Sequence, residues 1–340
     1  DRLSRKWLIV GSLFVWSAVT FLMGYATTFE QLYGLRAVMG ISEALYIPSA
    51  LSLIADWHQD KSRSLAIGVH MTGLYVGQAI GGFGATAAAA FSWQSTFHWF
   101  GIVGIAYSVV LIFFLHENPV RMKIEKVVAN GISKRNSIGK GLLLLFSNIS
   151  FWVILFYFAA PSLPGWATKN WLPTLFAENL DIPMSQAGPI STITIALSSF
   201  VGVILGGFLS DRWVLKNIRG RVYTGAIGLG MTIPALLLLG FGHGFISVIG
   251  AGLLFGIGFG IFDANNMPIL CQFVSAKYRG TAYGIMNMTG VFAGAAVTQL
   301  LGKWTDGGSL GEGFAMLSIV VALALGLQIY FLRPKTDNME

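Results

Sequence analysis

Two oppositely charged side chains, Arg36 and Glu43, stand seven residues apart inside a segment that is otherwise apolar. Seven residues at about 100° each return a helix to within about 20° of the same face, roughly 10 Å further along its axis. The favoured spacings for an ion pair within one helix are three and four residues, so this pair does not neutralise itself. Because a charge that faces lipid is costly, we expect both side chains to face water or a bound molecule.

The two side chains suit complementary tasks. The guanidinium group of Arg36 presents a planar fork of donors that matches a carboxylate. The carboxyl group of Glu43, in a partly buried position, can serve as a proton carrier. A structural alternative remains for both: an arginine packed against helix ends, and a glutamic acid kept neutral by a neighbouring hydroxyl group.

Membrane-spanning helices are the elements that must hold these residues. Of the 340 residues, 54% are hydrophobic and 11% are charged, whereas soluble domains carry roughly 25% charged residues. A spanning helix needs about 20 apolar residues, so the apolar segments predict an all-α polytopic membrane protein. The ten segments are 7–26, 31–55, 64–90, 95–115, 147–176, 185–209, 222–241, 245–271, 280–302 and 312–332.

The basic residues indicate how these segments are oriented. Most of the 22 Lys and Arg residues lie in alternate loops, and the positive-inside bias places those loops in the cytoplasm. We therefore expect an integral protein of a bacterial inner membrane, and its net charge of +7 needs no nucleic-acid partner. The polar stretch 117–146 predicts a cytoplasmic linker between an N-terminal half, 1–116, and a C-terminal half, 147–340.

Further polar side chains lie within the third apolar segment. His70, Tyr75 and Gln78 occur in "VHMTGLYVGQ" at spacings that suit one side of a helix. Tyr75 and Gln78 are candidates for binding a substrate, and His70 is a candidate for relaying protons. A histidine that bonds to a backbone carbonyl is the alternative for His70.

A second polar group, Asp263, Asn265 and Asn266, precedes Pro268 in the eighth segment. An acid and two amides are costly inside lipid, so we expect them to face a central cavity. Asn265 and Asn266 can bind substrate hydroxyl groups, and Asp263 can titrate as a second proton-coupling acid. Asp263 can instead be a structural acid paired with a neighbouring helix.

The fifth segment combines a cation with three prolines. Pro161, Pro164 and Pro173 predict a broken or bent helix near a cavity. Lys169 can attract anions there, or its stem can extend toward the membrane surface beside an interfacial tryptophan.

Two Asp-Arg pairs indicate an internal repeat. The chain starts with "DRLSRK", and "GGFLSDRW" follows the sixth apolar segment. Repeated halves are typical of secondary transporters. On these residues the chain resembles the major facilitator superfamily, whose signature loop, roughly G-x-x-x-D-R-x-G-R-K, joins the second and third helices of each six-helix half. The matching positions are Asp1, Arg2, Gly207, Asp211 and Arg212, with Ser4 where glycine is usual.

The resemblance implies a major facilitator fold with ten of its twelve transmembrane helices present and the first two missing. It implies that the matching loop residues form a cytoplasmic gate, in which charges pair between helices. The stretch "GLRAVMGISEALYIPSALSLIADW" is most similar to the anion:cation symporters. In that family an arginine and a glutamate at this spacing serve substrate binding and proton coupling.

The expected function is therefore proton-coupled symport of a small organic anion, such as a hexuronate or an aldonate, by a monomer that needs no cofactor. The pattern does not indicate an enzyme, because the five histidines show no H-E-x-x-H spacing and no G-x-S-x-G occurs. No metal site is expected. A transport-inactive remnant or sensor of the same fold, and a carrier of a neutral or phosphorylated sugar, are the alternatives.

Overall fold

Helices account for nearly all of the described chain. The computed structural model describes residues 4–57, 60–117, 145–147, 149–274 and 279–334. Within those ranges it contains eleven α-helices and no strand, and nine of the helices are long and apolar enough to cross a membrane. Helices suit lipid because every backbone N–H and C=O group bonds within the same segment. The predicted all-α polytopic fold is confirmed.

The helices follow the predicted apolar segments, with one division. They are α1 (Arg5–Met23), α2 (Phe29–Trp57), α3 (Asp60–Gly81), α4 (Gly84–Ala90), α5 (Trp93–Phe114), α6 (Ile149–Leu180), α7 (Met184–Val214), α8 (Gly220–Phe241), α9 (Phe245–Phe273), α10 (Arg279–Asp306) and α11 (Leu310–Phe331). The third predicted segment forms both α3 and α4, and neither is among the nine spanning candidates found in the described residues. Two adjacent glycines, Gly81 and Gly82, lie at the division, where their low helix propensity favours an end.

The chain forms two compact units. The first unit contains α1, α2, α4, α5 and α3 as far as Leu74, whereas the second contains Tyr75–Gly82 and the helices α6 to α11. The predicted halves, 1–116 and 147–340, stay a prediction. Most of the predicted linker lies outside the described residues.

In the first unit, α1 packs against α2 and α5. The ring of Trp16 on α1 meets the ring of Tyr46 on α2 edge-on, with 5.3 Å between centroids. Ile9 joins Ala50 in a small buried cluster between the same two helices. On the other side of α1, a Cβ atom placed on Gly104 of α5 would lie 2.3 Å from the hydroxyl oxygen of Ser17. Glycine therefore sets the close approach of α5, as is common between helices in membranes.

In the second unit, α9 packs along glycine-lined faces of its neighbours. A Cβ atom on Gly202 of α7 would lie 2.2 Å from the carbonyl oxygen of Ile257 on α9. A Cβ atom on Gly260 of α9 would lie 2.3 Å from the carbonyl oxygen of Ser199 on α7. The backbones of α7 and α9 thus touch directly, which fixes the position of the polar residues further along α9.

Helix α6 runs without interruption from Ile149 to Leu180, although three prolines lie inside it. The break predicted for this segment is therefore wrong, whereas the bend stays a prediction. Spanning helices tolerate proline where neighbouring helices surround the freed carbonyl groups. Helix α6 is surrounded in this way, since Leu172, Leu175 and Phe176 are fully buried within the second unit.

The N-terminus of α1 is capped by an acid from beyond the end of α5. The side chain of Glu117 accepts hydrogen bonds from the Ser4 hydroxyl at 2.7 Å and from the Lys6 backbone N–H at 2.9 Å. Partial burial favours a higher pKa for Glu117. The bonds from Lys6, Ser4 and the Arg5 backbone, together with the Arg5 charge, outweigh burial and hold this pKa below its ordinary value.

Replacing Glu117 with glutamine is expected to destabilise the first unit by about 1 kcal/mol at neutral pH, the usual effect of losing a helix cap. The folded-state pKa is the lower one, so the stabilisation is present above the unfolded-state pKa and is lost as the pH falls through the folded-state pKa. The difference in apparent Tm between the two proteins in detergent should therefore shrink below about pH 4. Glu178→Gln, an exposed control, should show no such pattern, and a pH-independent difference for Glu117→Gln would contradict the cap.

Candidate functional site

Arg36 and Glu43 both lie on α2 with exposed side chains. Met39 follows Arg36 by three residues, Tyr46 follows Glu43 by three residues, and both contact α1. Because three residues at about 100° each nearly complete a turn, each contact residue lies about 60° around the helix from its charged residue. Met39 accepts a hydrogen bond at its sulfur from the Thr20 hydroxyl group at 3.8 Å, and Tyr46 packs on Trp16. The two charges therefore share one side of α2, next to the side that packs on α1.

Space is open beside the charged pair. Gly40 lies between Arg36 and Glu43 in the sequence, and a Cβ atom placed on it would meet no atom within 4 Å. The described residues form no ion pair within 4 Å with either charge. Both charged groups are consequently accessible to a small molecule approaching this side of α2.

His70 lies near this helix within the first unit. Its ring is 6.0 Å from the ring of Tyr46, measured between centroids. The Nε2 atom is buried and has no hydrogen-bond partner in the described part of the chain. The Nε2 atom therefore does not form the hydrogen bond to a backbone carbonyl that was the alternative for His70. Burying a polar atom without a hydrogen-bond partner costs free energy.

In the second unit, Asp263 is exposed and its neighbours in the sequence are not. The Nδ2 group of Asn266 donates a hydrogen bond to the Asp263 carboxylate at 3.1 Å. Asn265 is fully buried and donates to the carbonyl of Ile261 on its own helix at 2.8 Å. Both amides are buried, so either would have to be uncovered before it could bind a substrate, and their substrate-binding role stays a prediction.

Helix α6 packs on α9 beside Asp263, where the ring of Tyr157 meets the ring of Phe262 edge-on with 5.2 Å between centroids. Tyr157 of α6, Tyr283 of α10 and Tyr75 of the α3 end are within electrostatic range of its carboxyl group. Lys169 of α6 is the cation that acts on it.

The α3 end brings two predicted residues into the second unit. The ring of Tyr75 lies 6.3 Å from the ring of Phe200 on α7, and Gln78 is half-buried one turn further along α3. Sequence reasoning missed Tyr157, because no polar residue lies three or four positions from it, and missed Tyr283, although an asparagine lies one turn further along.

The predicted gate residues can be located in one of the two loops. Asp211 at the end of α7 lies 3.6 Å from the guanidinium group of Arg221 on α8. The guanidinium carbon of Arg212 lies 4.0 Å from the ring centroid of Phe208, and Gly207 is one residue before that ring. Asp1 and Arg2 lie outside the described residues. The observed charge pair joins two successive helices across their short connection.

Apolar helices in two units, with charged side chains inside the spans, are typical of a polytopic transporter. The chain belongs to the Major Facilitator Superfamily, because the family model of that name matches residues 1–298. It is therefore a transporter rather than an enzyme.

Several curated transporters are similar to this chain at low identity. The D-galactonate transporter of Escherichia coli O6:H1 is 26% identical over 368 residues, which cover 95% of this chain and 79% of the relative. Probable anion transporter 5 of Arabidopsis thaliana is 26% identical, with coverage of 90% and 73%. The voltage-gated purine nucleotide uniporter SLC17A9 of Rattus norvegicus is also 26% identical, with coverage of 87% and 66%.

The fold has solved counterparts. The crystal structure of a bacterial homolog to the human lysosomal transporter Spinster, in an inward-facing and unoccupied conformation, superposes with a TM-score of 0.77. The match covers 99% of this chain and 85% of that chain at 16% identity. At this identity the likeness concerns the fold alone.

Proposed function

We propose that the protein imports a small organic anion together with protons, and that the anion is a sugar acid such as an aldonate or a hexuronate. The observation that carries the proposal is the pair Arg36 and Glu43, exposed on one side of α2 beside the open space at Gly40. The names of similar proteins, a D-galactonate transporter and an anion transporter, support an anionic cargo.

The two charges divide the work. Arg36 binds the cargo carboxylate through its forked donors, and Glu43 takes up the proton that accompanies the cargo. Protonation removes the negative charge of the Glu43 side chain. This favours movement of the loaded carrier, because a neutral carboxylic acid is less costly to take out of water than an ionised one.

The second unit adds further roles. Asp263 serves as a second proton-coupling acid, positioned by Asn266. Tyr75 and Gln78 bind cargo hydroxyl groups, and His70 in the first unit relays protons. The protein works as a monomer in a bacterial inner membrane, with its basic loops in the cytoplasm.

Charge-driven uniport is a second candidate. The relative from Rattus norvegicus is named a voltage-gated uniporter of purine nucleotides, so an anion carrier of this kind need not use protons. In that case Arg36 would still bind the anion, whereas Glu43 would have no coupling role.

Uptake into proteoliposomes tests the proposal. Radiolabelled galactonate and glucuronate should accumulate under an inward proton gradient, and neutral galactose should not. Uptake that responds to a potassium diffusion potential but not to the proton gradient would favour uniport. Transport of galactose in preference to galactonate would contradict an anionic cargo.

A further inference from the structure

The connection between α7 and α8 in the second unit is strongly basic. Residues 211–221 contain four cations and one acid. The cations are Arg212, Lys216, Arg219 and Arg221, and the acid is Asp211. Arg221 lies 3.6 Å from Asp211, whereas no acid in the described part of the chain lies within 4 Å of the other three cations. This stretch therefore carries positive charge that its own acid does not neutralise.

The connection lies at a membrane surface. Both flanking helices are long and apolar enough to span a membrane, and only residues 215–219 join them. Irregular backbone is not tolerated where it would face hydrocarbon, so a short connection between two spans lies among the lipid headgroups. Leu215, next to Lys216 in the sequence, is 86% exposed. The connection thus presents cations and an apolar side chain together at headgroup level.

Contacts with three helices hold the Arg219 side chain in place. Its guanidinium group donates a hydrogen bond from Nη2 to the backbone carbonyl of Ile329 on α11. The guanidinium carbon lies 4.8 Å from the ring centroid of Tyr223 on α8, and that ring lies 5.6 Å from the ring of Trp213 on α7. Tryptophan and tyrosine are enriched where headgroups meet hydrocarbon. Arg219 is therefore a cation fixed beside two rings of an interfacial type.

Arg219 keeps a donor that a ligand can reach. A guanidinium group has five N–H donors, and among the described residues only the Ile329 carbonyl accepts from this one. Nε is buried without a partner, whereas Nη1 is neither buried nor bonded within the same residues. Helix α8 starts at Gly220 without a side-chain cap, and the start of a helix carries a partial positive charge. A negatively charged oxygen atom at Nη1 would interact favourably with both.

We propose that this connection binds the phosphate group of an anionic phospholipid. Arg219 donates to a phosphate oxygen through Nη1, and Lys216 adds a second positive charge, as basic clusters just outside membrane spans do for anionic lipids. The acyl chains contact Leu215, and this apolar contact favours a lipid over a free phosphate ion. The proposal depends on the membrane-spanning fold and not on the identity of the cargo.

A purely structural role for Arg219 makes a different prediction. Arginine side chains can cap the last carbonyl groups of a helix, and Ile329 lies in the last turn of α11. A cap stabilises the protein equally with and without anionic lipid. A lipid site gives a preference for anionic over zwitterionic lipid, and that preference falls when the cations are removed.

Native mass spectrometry of the purified full chain in a neutral detergent measures this preference. The protein is titrated with phosphatidylglycerol, which is anionic, and in parallel with phosphatidylcholine, which is zwitterionic. The unaltered protein should have the lower Kd for phosphatidylglycerol. Lys216→Gln should raise that Kd about fivefold, the effect of one cation near an anionic surface. Arg219→Gln should raise it about tenfold, the effect of one hydrogen bond to a charged group. Neither substitution should change the Kd for phosphatidylcholine.

The controls separate a specific site from general charge. Lys303→Gln removes one exposed cation in the last turn of α10 and should leave both Kd values unchanged. Inorganic phosphate in large excess should not displace phosphatidylglycerol, because it lacks the acyl chains. None of the described contacts involves the Lys216 side chain, so Lys216→Gln tests the site even where Arg219→Gln fails to fold.

The contrary results are equally definite. An unchanged Kd for phosphatidylglycerol in folded Lys216→Gln and Arg219→Gln overturns the proposal. So does a rise in Lys303→Gln as large as that in Lys216→Gln, which would reflect net charge alone. Displacement of the lipid by inorganic phosphate would assign the connection to a free phosphate ion instead. A loss of Tm in Arg219→Gln that is the same with and without phosphatidylglycerol, at unchanged Kd, would leave Arg219 as a helix cap only.

Discussion

Replacing Arg36 with glutamine is expected to reduce galactonate uptake at low cargo concentration by at least about 100-fold. Hydrogen bonds to charged groups contribute roughly 1.5–3 kcal/mol each, and about 1.4 kcal/mol corresponds to a factor of ten. A bidentate contact with a carboxylate comprises two such bonds. Glutamine keeps a similar length and a polar end but has neither the charge nor the fork. The measurement is the initial rate of radiolabelled uptake into proteoliposomes over a range of galactonate concentrations.

Arg36→Lys is the informative companion variant. It keeps the positive charge and loses the planar fork, so its uptake should fall between that of the unaltered protein and that of Arg36→Gln. Arg333→Gln, exposed just beyond the end of α11, is a matched control outside the spans and should take up galactonate like the unaltered protein. Uptake by Arg36→Gln that matches the unaltered protein would show that the arginine packs structurally.

Replacing Glu43 with glutamine is expected to abolish the stimulation of uptake by a proton gradient. Glutamine resembles the protonated acid in shape and cannot release a proton. The variant should therefore still exchange external labelled galactonate for internal unlabelled galactonate, because exchange needs only the loaded form. The measurement is a pair of assays on the same proteoliposomes, gradient-driven uptake and counterflow.

The pairing of the two assays makes the result specific to coupling. A variant that is merely unfolded or unable to bind would lose counterflow as well as gradient-driven uptake. Glu30→Gln, in the first turn of α2, changes the same side chain at the helix end and should leave both assays unaffected. If Glu43→Gln still accumulates galactonate in response to the gradient, Glu43 is not the coupling acid.

Much of the fold could be predicted from the sequence because the solvent imposes it. Lipid requires long apolar helices with internally bonded backbones, so runs of apolar residues marked nine spanning helices within the described residues. The sequence did not predict the division between α3 and α4 at Gly82, or the continuity of α6 through Pro161 and Pro164. Both depend on whether neighbouring helices support the backbone, which is a tertiary effect.

The candidate site was only partly predictable. Arg36, Glu43 and Asp263 stood out because charges are rare inside spans. The sequence could not reveal that Asn265 faces into the unit while Asp263 is exposed, since both occupy one short polar run. It also left open which face of α6 meets α10, because that depends on the contact between Trp166 and Gly294 of α10.

Proton movement accompanying cargo is the most direct test of the central claim that Arg36 and Glu43 bind an anion and a proton together. Proteoliposomes loaded with a pH-sensitive dye, with no imposed gradient, are exposed to external galactonate. The lumen should acidify with the unaltered protein and stay at constant pH with Glu43→Gln. Entry of labelled galactonate through the unaltered protein without any luminal acidification would contradict the claim.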